Sequence, residues 1–454
     1  MNLSIFREYD IRGIFPDDLS DDALERIAHA IAVKCHKEKV DTLAIGRDGR
    51  LSGPHIKDTF IHNLNQKGIN TIDIGLVTSP LLYFAAKNLP SKSGVMITGS
   101  HNPKNHNGFK TVINDKPVAG EELKQLIQSD LIDMPLGQNL EDDAQILNYV
   151  QEVTSSKKAN LKKLKVVIDS GNGAAGAVAP MLFKALGCEL IELYSEVDGN
   201  FPNHHPDPGK LENLEDLIES VLSSKADIGL AFDGDGDRLG VVDNLGRPIF
   251  PDKLMMLFSE NILRDNQGDI IFDVKCSNRL PKIIASHGGN PIMSPTGHFH
   301  IKNKLRETGA LLAGEMSGHI FFNDRWYGFD DGHYSGVRML EILANSDISL
   351  AEMIDKYPQT FSTPELNISV DENDKFEIID AFKEKAAFPG GTLNTMDGLR
   401  VDYQDGWGLL RASNTTPKLV LRFEADSKTR LEEIKSDFLS QLASIRPSLE
   451  LHLS

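Results

Sequence analysis

The 454-residue sequence has few cysteines, no long apolar run and no excess of basic residues. Its cysteines, Cys35, Cys188 and Cys276, are too far apart for a metal-binding spacing, and an odd number fits a reducing compartment better than a disulfide framework. No apolar run is long enough to span a membrane. Charged residues enter the amino-terminal segment MNLSIFREYD before any apolar run, so we expect no signal peptide. These absences predict a cytoplasmic protein.

Acidic residues outnumber basic ones by 66 to 48, which gives a formal net charge of -18 and a pI of about 5.2. Such a chain repels nucleic acid and anionic membranes at long range, so we expect neither as a partner. The composition, 40% hydrophobic and 25% charged, is typical of a folded protein. At roughly 150 residues per domain, the length predicts three or four domains.

Two motifs of other enzyme classes are also missing. No G-x-x-x-x-G-K-[ST] occurs, so a P-loop that takes phosphate from a nucleotide is not expected. Ser100 lies in the polar stretch ITGSHNPKNHNGFK, but Thr98 and Asn102 stand where the G-x-S-x-G turn of a serine hydrolase has its two glycines. Ser100 is therefore a candidate for chemistry other than serine hydrolysis.

Strand-like and helix-like segments alternate through most of the chain. The apolar runs TLAI, NTIDIGLV and SGVMIT alternate with segments of helical periodicity, and two further cycles follow. This alternation predicts α/β units, whose ligands bind beyond the carboxyl ends of the strands. After about Ser362 the pattern becomes that of a smaller module with an antiparallel sheet. The predicted domains are three similar α/β units with mixed sheets, residues 1–146, 147–249 and 250–360, and a fourth, smaller α+β domain, residues 361–454.

The segment DGDGDR is a candidate metal site. Asp233, Asp235 and Asp237 alternate with glycines that permit a tight turn, and oxygen ligands of this kind suit a hard cation such as Mg²⁺. An EF-hand begins with the same spacing but needs glycine at its sixth position and glutamate at its twelfth, where this chain has Arg238 and Asn244. Without a cation, three carboxylates so close together would repel one another.

The segment SGNGAAG offers an alternative. Gly171, Gly173 and Gly176 match G-x-G-x-x-G between a strand and a helix, and Glu192 follows about twenty residues later. This pattern is typical of a dinucleotide site, although a tight turn with close helix packing produces the same glycines. A dinucleotide-binding function remains the second hypothesis.

Two further polar segments suit a sugar phosphate. RASNTTPK, from Arg411 to Lys418, combines a guanidinium, hydroxyls and backbone N–H groups, as a phosphate-binding loop does. In GEMSGH, the alternation of Glu315, Ser317 and His319 is that of an extended strand end or loop, so the three side chains can face the same way. A carboxylate beside a hydroxyl suits recognition of sugar hydroxyls.

Taken together, the segments FREYDIRG, GRDGRLSG, TGSHNPKNHNGFK, DGDGDR, GEMSGH and RASNTTP resemble the α-D-phosphohexomutase family in identity and in order. The resemblance covers essentially the whole chain. It is strongest to the bacterial phosphomannomutase/phosphoglucomutase branch, because the phosphoglucosamine branch usually has ASHNP and GEQSGH where this chain has GSHNP and GEMSGH. The resemblance implies four domains around a central cleft.

The resemblance also implies that Ser100 carries a phosphate, and that this phosphate and the acidic loop hold one Mg²⁺ ion per chain. Either His101 or Lys110 would act as general acid or base at the reacting hydroxyl. Arg238 would balance charge on the transferred group. Tyr9 and Arg12 of YDIRG would complete this reaction end of the cleft. The implied catalytic residues are Arg12, Ser100, His101, Lys110 and Arg238, and the implied metal ligands are Ser100, Asp233, Asp235 and Asp237.

At the other end of the cleft, the resemblance implies that RASNTTPK binds the phosphate that is not reacting. GEMSGH would recognise sugar hydroxyls, together with the histidine of PTGH and the lysine of DVKC. The implied substrate-binding residues are Tyr9, Lys275, His298, Glu315, Met316, Ser317, Gly318, His319, Arg411, Ala412, Ser413, Asn414 and Thr415.

The implied activity is an isomerase that interconverts mannose 6-phosphate and mannose 1-phosphate, and the corresponding glucose phosphates, through a hexose 1,6-bisphosphate. Glucose or mannose 1,6-bisphosphate would be the activator, and the fourth domain would close the cleft against water. The product would feed nucleotide-sugar synthesis for surface polysaccharides. We expect a monomer rather than a dimer. The alternatives are phosphoglucosamine mutase within the family, and a dinucleotide-dependent oxidoreductase or a non-catalytic sugar phosphate binder outside it.

Overall fold

The structure of the protein is a computed structural model that describes residues 1–131, 134–161, 164–372, 374–414, 416–447 and 449. Within these residues the strands form four sheets that follow one another along the chain. No helix in this part of the chain combines the length and the apolar character needed to cross a membrane.

The first sheet has seven strands and mixed pairing. Its elements are β1 (Ile11–Ile14), α1 (Asp21–Lys37), β2 (Thr42–Arg47), α2 (Gly53–Gln66), β3 (Asn70–Leu76), α3 (Ser79–Asn88), β4 (Gly94–Ile97), β5 (His106–Ile113), β6 (Lys116–Val118), α4 (Gly120–Lys124) and β7 (Asn139–Glu141). The order is β1-β5-β4-β2-β3-β7, with β6 beside β5. β2, β3, β4 and β7 pair in parallel, whereas β1, β5 and β6 pair antiparallel.

The second and third sheets are smaller and repeat this mixture. The second domain contains α5 (Gln145–Ser156), β8 (Lys165–Asp169), α6 (Ala179–Leu186), β9 (Glu189–Leu193), α7 (Glu215–Ser224), β10 (Ile228–Phe232), β11 (Leu239–Asp243) and β12 (Pro248–Ile249), in the sheet order β12-β11-β10-β8-β9. The third contains α8 (Pro251–Leu263), β13 (Asp269–Asp273), α9 (Arg279–Ser286), β14 (Asn290–Ser294), α10 (His298–Thr308), β15 (Leu312–Gly314), β16 (Ile320–Phe322), α11 (Gly332–Ala344) and α12 (Leu350–Ile354), in the order β14-β13-β15-β16.

The fourth sheet is antiparallel throughout its described pairings. Its elements are β17 (Phe361–Ser362), β18 (Leu366–Ser369), α13 (Asp374–Lys385), β19 (Thr392–Asn394), β20 (Leu399–Tyr403), β21 (Gly406–Ala412), β22 (Lys418–Ala425) and α14 (Lys428–Ile445). The order is β17-β22-β21-β20-β19, with β18 also on β22. The fold class predicted from the sequence, three mixed α/β units and a smaller α+β module, is therefore confirmed.

Helix α1 illustrates how the local sequence produces these elements. Ser20 caps its amino terminus by accepting a hydrogen bond from the Ala23 N–H, and two aspartates in the first turn favour the positive end of the helix dipole. Leu24, Ile27 and Ile31 recur at helical spacing and are fully buried. Burial of each of these side chains stabilises the fold by about 2 kcal/mol.

The hydrophobic core is continuous across the first three domains. One cluster contains buried residues from α3 of the first domain, β10 of the second and α11 of the third. The fourth domain packs its helices over a separate core, and a small cluster of Val274, Trp407 and Leu409 joins it to the third.

Helix α11 is absent from the sequence-based prediction. Nearly all of its residues are buried, including Arg338 and Glu341, so it has no polar stripe to mark a helical period. Its cap is Asp331, whose carboxylate accepts from the Tyr334 N–H at 2.9 Å. The same carboxylate accepts from the Tyr149 hydroxyl at 2.8 Å and from Trp326 Nε1 at 3.1 Å.

We predict that Asp331→Ala destabilises the protein by about 3 kcal/mol, because it removes a helix cap and leaves two buried donors unpaired. The matched control is Ser427→Ala, which removes only the exposed cap of α14 and should cost about 1 kcal/mol. The measurement is the apparent unfolding midpoint, and Asp331→Asn should recover part of the loss. Equal shifts for Asp331→Ala and Ser427→Ala would contradict the prediction.

Candidate active site

Polar loops from the first three domains meet beyond the carboxyl ends of their strands. Residues 98–105 follow β4, residues 233–238 follow β10, residues 274–278 follow β13 and residues 315–319 follow β15. The first two loops touch directly, because Ser100 Oγ donates to Asp233 Oδ2 at 3.0 Å. The sequence pattern predicts that ligands bind at this edge of the sheets.

Ser100 is buried and its backbone is held in an unusual conformation. Its φ of 47° lies in the left-handed region, which a serine adopts only when its surroundings impose it. Its N–H donates to Thr98 Oγ1 at 2.8 Å, and Thr98 in turn donates to Asp48 at 2.7 Å. His101 Nδ1 lies 3.1 Å from Ser100 Oγ. The serine is therefore fixed in position by both its main chain and its side chain.

Arg50 of the segment GRDGRLSG holds the main chain of this loop by hydrogen bonds. Arg50 is fully buried, and its Nε donates to Asp48 at 3.1 Å. Its terminal nitrogens donate to four backbone carbonyls at 2.6 to 2.9 Å, those of Ser100, Asn102, Pro103 and His106. The sequence shows the motif, but only the structure shows that its arginine positions Ser100.

The three aspartates of DGDGDR converge as the sequence predicts. Each has a carboxylate oxygen within 4.8 Å of the others, and all three side chains are fully buried. Asp235 Oδ1 has no hydrogen-bond donor among the residues that the structure describes. Burial and repulsion from Asp237 and Asp235 hold the pKa of Asp233 well above its usual value. This donor set, with too much negative charge and a free oxygen, fits a divalent metal ion.

Glycines let the acidic loop and the serine loop approach each other. A Cβ on Gly234 would lie 2.4 Å from the Ser100 carbonyl oxygen, and Gly236 has a φ of 74°. The Gly234 carbonyl also accepts from the Ala174 N–H at 2.9 Å, so the SGNGAAG segment packs against the acidic loop. A Cβ on Gly173 would meet the same carbonyl at 2.9 Å. These contacts give the glycines a packing role and do not favour a dinucleotide site.

Lys110 lies on β5 and supplies positive charge to the acidic loop. Its Nζ lies 2.7 Å from Asp235 Oδ2 and 2.5 Å from Asp237 Oδ2. Burial opposes the charged amine, but these two carboxylates outweigh it and hold the pKa of Lys110 well above its usual value. His101 is affected in the opposite direction, because burial and nearby arginines hold its pKa well below its usual value. Lys110 is therefore charged, and His101 is neutral.

The segment GEMSGH forms a hairpin turn between β15 and β16, which is the loop that its alternation allows. His319 Nδ1 lies 3.0 Å from Glu315 Oε2, and Nε2 lies 3.2 Å from Asp237 Oδ1. Arg238 Nε lies 3.3 Å from His319 Nε2, so this turn packs against the acidic loop. Burial by itself would lower the pKa of His319, but Asp237 raises it to about 9.

The other residues of GEMSGH contact their neighbours through side-chain atoms in one case and main-chain atoms in the others. Ser317 Oγ lies 2.9 Å from His319 Nδ1. The Met316 N–H donates to Asp273 at 3.3 Å. Gly318 has a φ of 95°, and its carbonyl accepts from the Leu239 N–H at 3.1 Å.

A second polar group lies between the third and fourth domains. Arg411 Nε donates to Asp397 at 3.0 Å, and Lys275 Nζ lies 2.9 Å from Glu365 Oε2. Ala412 ends β21, and Ser413 Oγ lies 2.8 Å from Thr416 Oγ1. Thr415, which the sequence assigns to this group, is outside the described residues.

Tyr9 belongs to this second group, whereas the sequence places it with Arg12 at the reaction end. Its hydroxyl donates to the Thr296 carbonyl at 3.2 Å and accepts from Asn414 Nδ2. Its ring lies 5.9 Å from that of His298, and His298 lies 5.7 Å from His319. Arg12 stays at the reaction end, where its charge helps to lower the pKa of His101. Tyr9 and His298 therefore connect the two groups.

Asp330 is a buried carboxylate of the site that sequence reasoning missed. It can join Asp237 and His319 in a second set of converging ligand atoms, and its Oδ1 lies 2.6 Å from Lys302 Nζ. The signal available in the sequence is the doubled aspartate of FDDGH, which resembles an ordinary turn. Its position opposite the acidic loop is visible only in the folded chain.

The fold and these two groups define an α/β enzyme in which a buried serine and an acidic loop lie at one end and an arginine-bearing loop lies at the other. Family models match all four units. The domain I, II and III models of the phosphoglucomutase/phosphomannomutase family match residues 3–133, 147–246 and 250–361, and the C-terminal domain model matches residues 365–441. The chain belongs to this family, and the resemblance drawn from the motifs is confirmed.

Full-length relatives agree with the family models. The chain is 53% identical over 451 residues to the phosphomannomutase/phosphoglucomutase of Pseudomonas putida, covering 99% of this chain and 97% of that protein. It is 49% identical over 447 residues to the phosphoglucomutase of Neisseria gonorrhoeae, with 97% of each covered. The crystal structure of a phosphoglucomutase/phosphomannomutase family protein from Burkholderia thailandensis matches with a TM-score of 0.93, 44% identity and 99% of both chains covered.

The pKa of His319 generates a pH-dependent prediction. Its folded-state pKa of about 9 exceeds an unfolded value near 6.5, so its charge stabilises the fold fully below about pH 6.5, and this stabilisation is lost as the pH rises through 9. In metal-free buffer, the wild type should therefore unfold at a higher temperature than His319→Asn at pH 6, and the difference should shrink by pH 9. A difference that stays constant or grows with pH would contradict this assignment.

Proposed function

We propose that this chain interconverts mannose 6-phosphate and mannose 1-phosphate, and glucose 6-phosphate and glucose 1-phosphate, through a phosphoserine and a hexose 1,6-bisphosphate. The family is one of isomerases, and relatives about half identical over their full length are named phosphomannomutase/phosphoglucomutase or phosphoglucomutase. The observation that carries the proposal is the placement of Ser100 Oγ 3.0 Å from Asp233, within a buried acidic loop. A hydroxyl there is placed to carry a phosphate beside a cation.

In the proposed cycle, the phosphoryl group leaves Ser100 Oγ and bonds to the free hydroxyl of the sugar monophosphate, while that hydroxyl gives its proton to a base. The bisphosphate then turns round in the site. Its other phosphoryl group returns to Ser100 Oγ, and the sugar oxygen that it leaves takes a proton back. No net phosphate is consumed, so the serine must hold the group without hydrolysis.

Asp233, Asp235 and Asp237, with the phosphate on Ser100, would hold one Mg²⁺ ion. The ion would neutralise charge on the transferred group. Arg238 lies beside this loop, with its Nε 3.9 Å from Asp233 Oδ2, and would contribute positive charge to the same group. Lys110, already charged and paired to two of the carboxylates, would serve the same purpose.

His319 is a third candidate for moving the proton, beside His101 and Lys110. An imidazole held by a carboxylate is a common arrangement for a general acid or base, and Glu315 holds His319 in this way. His101, adjacent to Ser100 and neutral, would set the environment of the serine oxygen. We propose that His319 exchanges the proton of the sugar hydroxyl, with Lys110 as a source of charge.

At the other end, Arg411, Ser413, Asn414 and Thr415 would bind the phosphate that is not reacting. Lys275, His298, Glu315 and Ser317 would bind the sugar between the two phosphates. We further propose that a hexose 1,6-bisphosphate activates the enzyme by phosphorylating Ser100. The three free cysteines support a reducing compartment such as the cytoplasm, where a monomer would feed nucleotide-sugar synthesis for surface polysaccharides.

We predict that Ser100→Ala lowers kcat on mannose 1-phosphate at least about a thousandfold, because it removes the hydroxyl that is proposed to carry the phosphate. Assays would contain Mg²⁺ and a trace of glucose 1,6-bisphosphate, and intact-mass and phosphopeptide analysis would locate the phosphate. Ser155→Ala, in an exposed turn of α5, is the matched control and should retain full activity and phosphorylation. Wild-type protein without turnover, and without phosphate on Ser100 after bisphosphate treatment, would refute the proposed function.

We also predict that Asp235→Asn weakens Mg²⁺ binding at least about tenfold, because affinity for this ion follows the charge of its oxygen ligands. Titration calorimetry with MgCl₂ on protein of uniform phosphorylation state would measure the change. Asp265→Asn, at an exposed position outside the acidic loop, should bind Mg²⁺ like the wild type. Unchanged Mg²⁺ affinity in Asp235→Asn would place the cation elsewhere.

A further inference from the structure

One face of the fourth sheet carries an ordered polar patch that turns toward the third domain. Arg400 on β20 pairs with Leu409 on β21, which pairs with Arg422 on β22. Two residues along each strand, Asp402, Trp407 and Glu424 are paired in the same way. Because side chains alternate between faces, these six residues point to one side of the sheet. We refer to Arg400, Asp402, Trp407, Leu409, Arg422 and Glu424 as the interdomain patch.

The two arginines of the interdomain patch bind consecutive backbone carbonyls of the segment DVKC. Arg400 Nη1 donates to the carbonyl oxygens of Val274 at 2.6 Å and Cys276 at 2.7 Å. Arg422 Nη1 donates to the carbonyl oxygen of the residue between them, Lys275. All three carbonyls of this stretch are thus held from the fourth domain.

Both arginines are buried and fixed by further contacts. The guanidinium carbon of Arg400 lies 4.0 Å from the centre of the Trp407 ring, and that of Arg422 lies 5.6 Å from it. Arg400 also donates to Asp402 at 2.9 Å, and Arg422 donates to Asp252 of the third domain at 3.2 Å. Guanidinium groups held by these contacts keep a loop in one geometry, since their donors form a rigid planar fork.

The residue whose backbone is held in this way is Lys275, a member of the second polar group. The residue is 6% exposed, and its ammonium lies 2.9 Å from Glu365 Oε2, next to β18. Both the backbone and the ammonium of Lys275 therefore depend on the fourth domain, although Lys275 belongs to the third.

We propose that Arg400 and Arg422 are positioning residues that place Lys275 for the sugar phosphate only while the fourth domain is docked. This inference rests on the proposed function, in which Lys275 binds substrate. Trp407, Leu409 and Arg411 lie on the same face of β21. The proposed phosphate-binding loop and the two arginines that bind the backbone around Lys275 therefore belong to the same sheet and move together. Binding of the distal phosphate and placement of Lys275 are thereby coupled.

A double-mutant cycle between Arg400 and Lys275 tests this coupling. Arg400→Lys keeps the charge but cannot reach two carbonyls from a planar fork, so kcat/KM for glucose 1-phosphate should fall about tenfold. The loss should be mainly a rise in KM, because the affected group binds substrate. In a Lys275→Met background, Arg400→Lys should cost less than about twofold, since the residue through which it acts is already gone.

The matched control is Arg430→Lys. Arg430 is also in the fourth domain and also stacks on an aromatic ring, at 4.9 Å from that of Tyr403, but it pairs with Asp405 and Glu433 at the surface. It should leave both kinetic constants unchanged. Arg422→Lys should repeat the behaviour of Arg400→Lys, with the same loss of effect in the Lys275→Met background.

Three results would overturn the inference. The first is that the losses in kcat/KM of the two single variants multiply in the double mutant, and the second is a fall in kcat with KM unchanged. The third is loss of the native circular dichroism spectrum in both arginine variants, which would assign the arginines a purely structural role. A wild type without mutase activity would instead refute the proposed function, so the two failures are distinguishable. Coupling confined to KM, with native spectra and unfolding midpoints, would establish the positioning role.

Discussion

The candidate active site depends on the neutralisation of three buried carboxylates. Asp233, Asp235 and Asp237 lie fully buried in a tight loop, where their mutual repulsion is strong. Lys110 from the first domain and His319 from the third each contribute a charge to this loop. The acidic loop belongs to the second domain, so its electrostatic balance requires the first three domains together. The continuous core across those domains supplies the rigidity that holds these charges in register.

Buried arginines hold two loops of the site by their backbone carbonyl oxygens. Arg50 donates to carbonyls of the loop of Ser100, and Arg400 and Arg422 donate to carbonyls of the loop of Lys275. Irregular loops leave carbonyls without partners, and a guanidinium satisfies several at once with charge-assisted hydrogen bonds. Each of the three arginines is itself neutralised by an aspartate: Arg50 by Asp48, Arg400 by Asp402 and Arg422 by Asp252. Each arginine thereby holds the main chain of its loop, while the side chains of Ser100 and Lys275 are held by their own contacts with Asp233 and Glu365.

Much of the fold and of the site follows from sequence patterns. The helical period of α1 and the apolar strand before DGDGDR give the right elements, and the motifs give the right loops. The buried helix α11 does not follow from a sequence pattern, because it has no polar face to mark a helical period. Tyr9 is a further case. Its neighbour Arg12 suggests the reaction end, but the hydroxyl of Tyr9, which precedes β1, contacts Thr296 and Asn414 instead.

What the sequence by itself determined was the inventory: a serine without a hydrolase turn, three acids at a spacing that suits a cation, and a polar loop that suits a phosphate. These are local properties of residue type and spacing. Only the tertiary structure decided which groups meet, because Lys110, Asp237, His319 and Asp330 come from three domains and approach through packing, not spacing. The protonation states were decided there too, since burial and neighbouring charge, which no short motif contains, set the charge on His101 and His319.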